Sequence, residues 1–218
     1  MNTTTNSEVF PPSSRPYGKD YGEWSEEWIK WAFSIPKEYN PASDESGRNC
    51  AQNQKGPVWF LAGTFGGSVK RKCMIPVGKA ILFPIVAKEC SFAEDKDLKT
   101  ESELSARTIE AMNHVTFMEV VIDNVHLQHL DDYRAHSRIF NLTFPECNVY
   151  GVEGGTTRSV TDGYWILLKP LQIGKHEIYF AAEVSLPPRS KLYELSRQYN
   201  KMDGTSFRTQ ATYDLMME

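Results

Sequence analysis

The sequence predicts a mainly β protein: an antiparallel β-sandwich of jelly-roll or immunoglobulin-like type with two short helices. Three observations carry this. About nine short runs rich in Val, Ile, Phe and Tyr are separated by Gly, Pro and Asn turn signals. Two of the runs alternate apolar and polar residues, as half-buried antiparallel strands do. Only two segments carry helix-start signals, too few for the helical crossovers of a parallel sheet.

Residues 1–19 hold one aliphatic residue besides Met1, three prolines and many small polar residues. Such a stretch buries too little apolar area to offset its ordering entropy, so it reads as a flexible arm ahead of a single domain spanning 20–218. It has neither the basic start nor the apolar stretch of a signal peptide. Asp20 and Glu23 form a capping box, and a helix follows to Phe33, stopped by Pro36. Trp24, Trp28 and Trp31 share one face at i, i+4, i+7 spacing, opposite Glu23, Glu26, Glu27 and Lys30. That stripe reads as a helix packed on the sheet, with ligand stacking on the indoles as the alternative.

Strands are expected at 58–63, 69–75 and 79–87. The turn at 64–67 reads as a hairpin, and Pro84 marks a sheet edge or a bulge. Thr100 and Glu103 cap a second helix to Asn113. Further strands read at 117–122, 136–144, 157–161, 164–169, 176–184 and 207–215. In one, Ile178, Phe180, Ala182 and Val184 alternate with Glu177, Tyr179 and Glu183; in another, Phe140, Leu142 and Phe144 alternate with Asn141 and Thr143. A polar excursion, 187–204, precedes the last strand.

The charge balance is 24 basic against 28 acidic residues, net −4, with the basic residues scattered. This argues against nucleic acid or an anionic membrane as partner. The longest apolar run, 80–87, has eight residues and contains Pro84, so no membrane-spanning helix is expected. Cys50, Cys73, Cys90 and Cys147 lie far apart with no C-x-x-C spacing. They read either as buried thiols or as one or two disulfides, with Cys50–Cys73 the first choice. The chain is expected to be extracellular with its export signal removed, or otherwise cytoplasmic. The sequons at Asn2 and Asn141 are permissive only.

Taken together, the motifs YGEWSEEWIKWAFSIP, NPASDESG, CAQNQKGPVWFLAGTFGG, CMIPVGKAILFPI, ECSFAE and DGYWILLKPLQIGKHEIYF resemble a family of hypothetical archaeal and bacterial proteins. The resemblance spans 17–184 and carries no established activity. It implies export, which favours the disulfide. Where the family usually has Asn after FPI, this chain has Ala87.

Chemistry-bearing residues cluster in His126, His129, Asp131, Asp132, Arg134 and His136. Imidazoles and carboxylates are metal ligands, so His126 and His129 are the metal candidates, although on a strand they diverge. His136 and His176 fall on the apolar phase of their strands, at the rim of the core. A rim histidine can act as a general base. With Arg134 and Asp162 they form the catalytic candidate, and Glu89 and Glu94 are the other carboxylates at strand ends. Nucleophile, phosphate-loop and cofactor fingerprints are missing, and the Gly-rich stretches 63–67 and 151–155 read as turns. Two function classes follow. The first is a ligand- or partner-binding module for a carbohydrate, a protein or a cell surface. The alternative is an enzyme on the same scaffold, a polysaccharide lyase or hydrolase or a metal-dependent hydrolase.

Overall fold

The computed structural model describes residues 6–185 and 206–218. The polar excursion 187–204 and the Asn2 sequon lie outside the described residues. The protein is mainly β, with 42% strand against 19% helix, and its two α-helices accompany two mixed sheets that do not close into a barrel. The helices start where the capping boxes place them. α1 (Tyr21–Phe33) is capped by Asp20 and Glu23, and α2 (Glu101–Asn113) by Thr100 and Glu103, each pair satisfying end donors reciprocally.

The first sheet contains β1 (Val58–Phe60), β3 (Ala80–Ser91), β8 (Gly155–Leu168) and β6 (Arg134–His136) in that order, with β7 (Phe140–Phe144) also paired to β8. The second runs β2 (Gly67–Ile75), β10 (Ser206–Met217), β9 (Gly174–Ser185), β4 (Val115–Ile122) and β5 (Val125–His126). Most strand pairs are antiparallel, as expected, but two, β1–β3 and β2–β10, are parallel, so both sheets are mixed. The cause lies at 61–66. This segment is not a hairpin but a crossing from one sheet to the other, turned by Gly66 and Gly67 at φ 105° and 77°. The predicted strands 157–161 and 164–169 are one, β8. Its Gly163 lies so close to Ala87 of β3 that a Cβ would collide with it.

β3 and β8 are buried on both faces because the first sheet is the middle layer. On one face Trp165 of β8 meets Trp28 of α1 with ring centres 5.5 Å apart. On the other, Phe83 of β3 stacks on Phe180 of β9 at 4.7 Å. Helix α2 covers the end of this second face, where Leu104 packs on Cys90 and Val160. The Trp stripe is core. All three indoles are 6% exposed, and their N–H groups donate to the carbonyls of Pro16, Leu61 and Gln52. Pro84 sits at a bulge inside β3, where its missing donor costs no ladder bond.

The arm is corrected from Asn6 onward. Val9 is 2% exposed and bridges Leu168, while the Phe10 N–H donates to the Leu167 carbonyl. The segment gains order by backbone pairing to β8, which the count of its apolar residues does not register.

Cys50 and Cys73 form a disulfide that ties the 40–56 loop to β2, and Cys90 and Cys147 are free thiols. Beside the bridge lies Arg71, 1% exposed, whose guanidinium donates to the carbonyls of Ala42, Asp44, Ala62 and Gly63 and to the Tyr213 hydroxyl. Gly47 closes the loop onto Lys72 at a positive φ, with no room there for a Cβ. Among the described residues no helix is long and apolar enough to cross a membrane.

Candidate functional site

Of the residues singled out in the sequence, Arg134 and Asp162 do meet. β6 and β8 pair Arg134 with Tyr164 and His136 with Asp162, so all four side chains leave the same face. Arg134 grips the buried Asp162 carboxylate through Nε at 3.2 Å and a terminal nitrogen at 2.7 Å. It spends its remaining donors on Asn113 and the Ile109 carbonyl of α2. The guanidinium and carboxylate saturate each other, and the pair fastens α2 to the sheet.

His136 is exposed rather than at the core rim. From His136 to Phe140 the chain advances four residues, while the partner strand advances three, from Asp162 to Ser159. That one-residue bulge inverts the phase, so His136 faces away from the Phe140, Leu142 and Phe144 set. His176 lies on the second sheet and has other partners. Its Nδ1 is 2.6 Å from an Asp123 oxygen and its Nε2 is 2.9 Å from the Gln172 carbonyl. Both partners are acceptors, so the ring serves both only as the imidazolium. Burial opposes that charge, but the Asp123 and Gln172 contacts outweigh it and raise the His176 pKa. His136 and His176 therefore share no hydrogen-bond partner.

His126 stands exposed on β5 beside Glu119 at 3.3 Å, and His129 occupies a left-handed turn at φ 55°. Among the described residues no three His, Cys, Asp or Glu side chains gather as a metal would need.

A denser polar group surrounds Glu89, at the inner end of β3. Glu89, 2% exposed, accepts from the Ser159 hydroxyl and lies against Glu94. Burial first, then the charge of Glu94, lifts the Glu89 carboxyl well above the usual carboxylate range. The protonated form is thus favoured by the fold. Lys88 holds Glu94 at 2.9 Å, and Arg107 bridges Asp95 and Asp97. Cys90 is wholly buried beside them, and burial pushes its thiol up. Glu89 is closed off from solvent, and the group ties β3, β8 and α2 together.

Among the described residues an open cavity lies on the outer face of the second sheet. Pairing aligns Ser68 of β2, Gln210 of β10, Ala181 of β9 and Glu119 of β4 in one row across four strands. Ser68 and Ala181 are small, so the row is low. The next row on one side carries Arg208, Glu183 and Phe117; on the other it carries Thr212 and Tyr179. The result is a groove across the strands with a volume of about 410 Å³, lined by Ser68, Phe117, Tyr179, Ala181, Arg208 and Gln210. That volume lies within the range of small-ligand sites, about 300–1,000 Å³. Phe117 is 45% exposed, an unusual position for an aromatic ring. Arg208 pairs with Glu183 at 2.9 Å, which balances its charge. Burial and the nearby Glu119 raise the Tyr179 phenol, which keeps it neutral.

No family model, curated protein or solved structure matches this chain.

None of the groove's residues stood out in the sequence as functional. The one signal was Ala181, a small residue interrupting the outward series Glu177, Tyr179, Glu183.

Proposed function

We propose that the protein is a binding module for carbohydrate and that its ligand rests in the groove over Ala181. The observation that carries this reading is the pair of aromatic walls, Phe117 and Tyr179, around a low floor edged by Gln210, Ser68 and Arg208. A sugar ring offers an apolar C–H face and a rim of hydroxyls, and this lining answers both. The Cys50–Cys73 bridge fits an oxidising compartment such as the cell exterior, where glycans are met. The scaffold is read as a two-sheet sandwich, jelly-roll or immunoglobulin-like, whose free outer face carries the ligand.

The enzyme alternative has less support. Arg134 and Asp162 neutralise each other, Glu89 is closed off, and His136 and His176 lie on different sheets. Among the described residues the singled-out acid and base candidates are divided between the two sheets rather than gathered at one point.

Affinity electrophoresis through gels containing neutral polysaccharides tests the proposal. Retardation is expected on at least one of hydroxyethylcellulose, xylan, mannan and starch, and is lost in Phe117→Ala and Tyr179→Ala. Migration unchanged on every polysaccharide, or retardation that survives both substitutions, refutes it.

A further inference from the structure

Given the carbohydrate-binding reading, on which this step rests, we infer that the ligand is a linear, uncharged glycan lying across the strands rather than along them. The direction comes from register. The floor runs from Ser68 through Gln210 to Ala181, perpendicular to the strands, and Phe117 of β4 stands at its far end, so the lining reaches across four strands. Four strands make three spacings of about 4.8 Å, so the lining extends about 14 Å. That is too long for one pyranose ring and suits a short run of them.

The same direction excludes an extended peptide added to the sheet. A peptide bound by strand addition needs free backbone donors and acceptors at an edge. β10, β9 and β4 are paired on both sides. Among the described residues β2 has a strand on one side only and stands at the end of the floor, so a peptide added to its edge would run along the strands and not across them. β9 and β10 hold each other in register from Ser185–Ser206 to Gly174–Met217, and β2 and β4 flank them. Apart from Gly67 at the β2 end, the groove presents mainly side chains, so recognition rests on stacking and on side-chain hydrogen bonds.

The absence of charge on the ligand follows from the pairs already made. Arg208 is matched by Glu183, Lys70 by Asp214 at 3.1 Å, and Glu119 has His126 beside it. An anionic sugar reaching the terminal nitrogens of Arg208 would meet the Glu183 carboxylate already on its Nε, so it finds no net positive charge, and a cationic one would meet Arg208 itself. What stays available is neutral: the Gln210 amide, the Ser68 hydroxyl and the two rings. An amide presents donors and an acceptor on one plane, which suits adjacent ring hydroxyls.

The experiment is isothermal titration calorimetry with oligosaccharide ladders, from the monosaccharide upward. The ladders are β-1,4-linked glucose, xylose, mannose and N-acetylglucosamine, with oligogalacturonates as the charged counterpart. On at least one neutral ladder, affinity should rise with each added ring until the chain spans the four strands, then level off. Ala181→Trp should fill the groove midway and abolish binding of the longer oligomers. Ser68→Trp should block only the β2 end, leaving short oligomers unaffected and removing the gain from longer ones. Gln210→Ala, a milder change that leaves the sheet face intact, should weaken binding about tenfold and serves if Ala181→Trp does not fold.

Affinity independent of length, preference for oligogalacturonates, or binding indifferent to Ser68→Trp and Gln210→Ala would overturn this inference while leaving a carbohydrate-binding module standing. No heat with any ladder, together with no retardation on the polysaccharides, would overturn both.

Discussion

Replacing Arg71 with Met keeps the aliphatic stem and deletes the guanidinium. In the native protein that group donates to four backbone carbonyls and one hydroxyl, from 2.6 to 3.2 Å away. It therefore joins three separate parts of the chain to β2: the 40–50 loop, the crossing after β1, and Tyr213 of β10. A hydrogen bond to a charged group contributes about 1.5–3 kcal/mol net, but bonds that share one donor group do not add. The Asp44 carboxylate keeps its own donors from Ser46 and Asn49, so it is not stranded. The appropriate scale is that of breaking a buried ionic group, about 3–5 kcal/mol. Against a total stability of about 5–15 kcal/mol this is a large share. For a chain of this length each kcal/mol moves the melting point by about 2–4 °C, so Arg71→Met should melt roughly 10 °C lower. Urea unfolding should show a lower midpoint at an unchanged slope. Arg71→Lys, a point charge without the planar fork, should fall between the two. If Arg71→Met melts within about 2 °C of the native protein, the guanidinium is not what binds these segments and the reasoning fails.

Reducing Cys50–Cys73, which closes a separation of 23 residues, should cost roughly 3 kcal/mol on the chain-entropy scale. Thiol titration of the unfolded, unreduced protein should find two free thiols, and four would disprove the bridge. Glu89 binds its proton more tightly folded than unfolded, so its contribution is complete below the ordinary carboxylate pKa and is lost as pH rises through the raised value. Glu89→Gln should flatten that decline in a series of melts from acid to neutral pH, and an unaltered slope counts against a raised Glu89 pKa. His176 follows the same sign. Its contribution holds below about pH 6.5 and fades above its raised value. His176→Gln should remove that dependence, and NMR titration of the ring should place its midpoint above the ordinary histidine value.

Much of the local structure was legible because its causes are local. Asp20 with Glu23 and Thr100 with Glu103 declare helix starts within four residues of sequence, and both helices begin there. The Ile178 to Val184 alternation put the right residues inward on β9. Non-local features were not legible. Nothing near Gly66 and Gly67 distinguishes a hairpin from a crossing between sheets, and β2 pairs with a strand far along the chain. The phase of His136 failed because a single extra residue between β6 and β7 reverses every side chain. The groove failed for a related reason. Ser68, Glu119, Ala181 and Gln210 are ordinary residues one at a time and become a row only when four strands are set in register. Arg134 and Asp162 do meet, but as partners of each other, a fact that resides in distances and not in residue types.

The pairing of β2 has a consequence for the order of folding. Arg71 and Tyr213 stand on neighbouring strands yet are 142 residues apart in the chain, and among the described residues β2 has no other strand partner. A ribosome therefore releases β2 early and leaves Val69, Cys73 and Ile75 without their neighbour until β10 emerges. Contacts this distant are slow to form, because the loop between them must close before any pairing repays it. In that interval the Cys50–Cys73 bond can already close, since both cysteines emerge together. An early bridge would pin β2 to its loop, shield one of its edges and leave the other ready for β10. Oxidation would then act as a holding step in biogenesis, and refolding from the reduced state should be slower and more prone to aggregation than refolding with the bond intact.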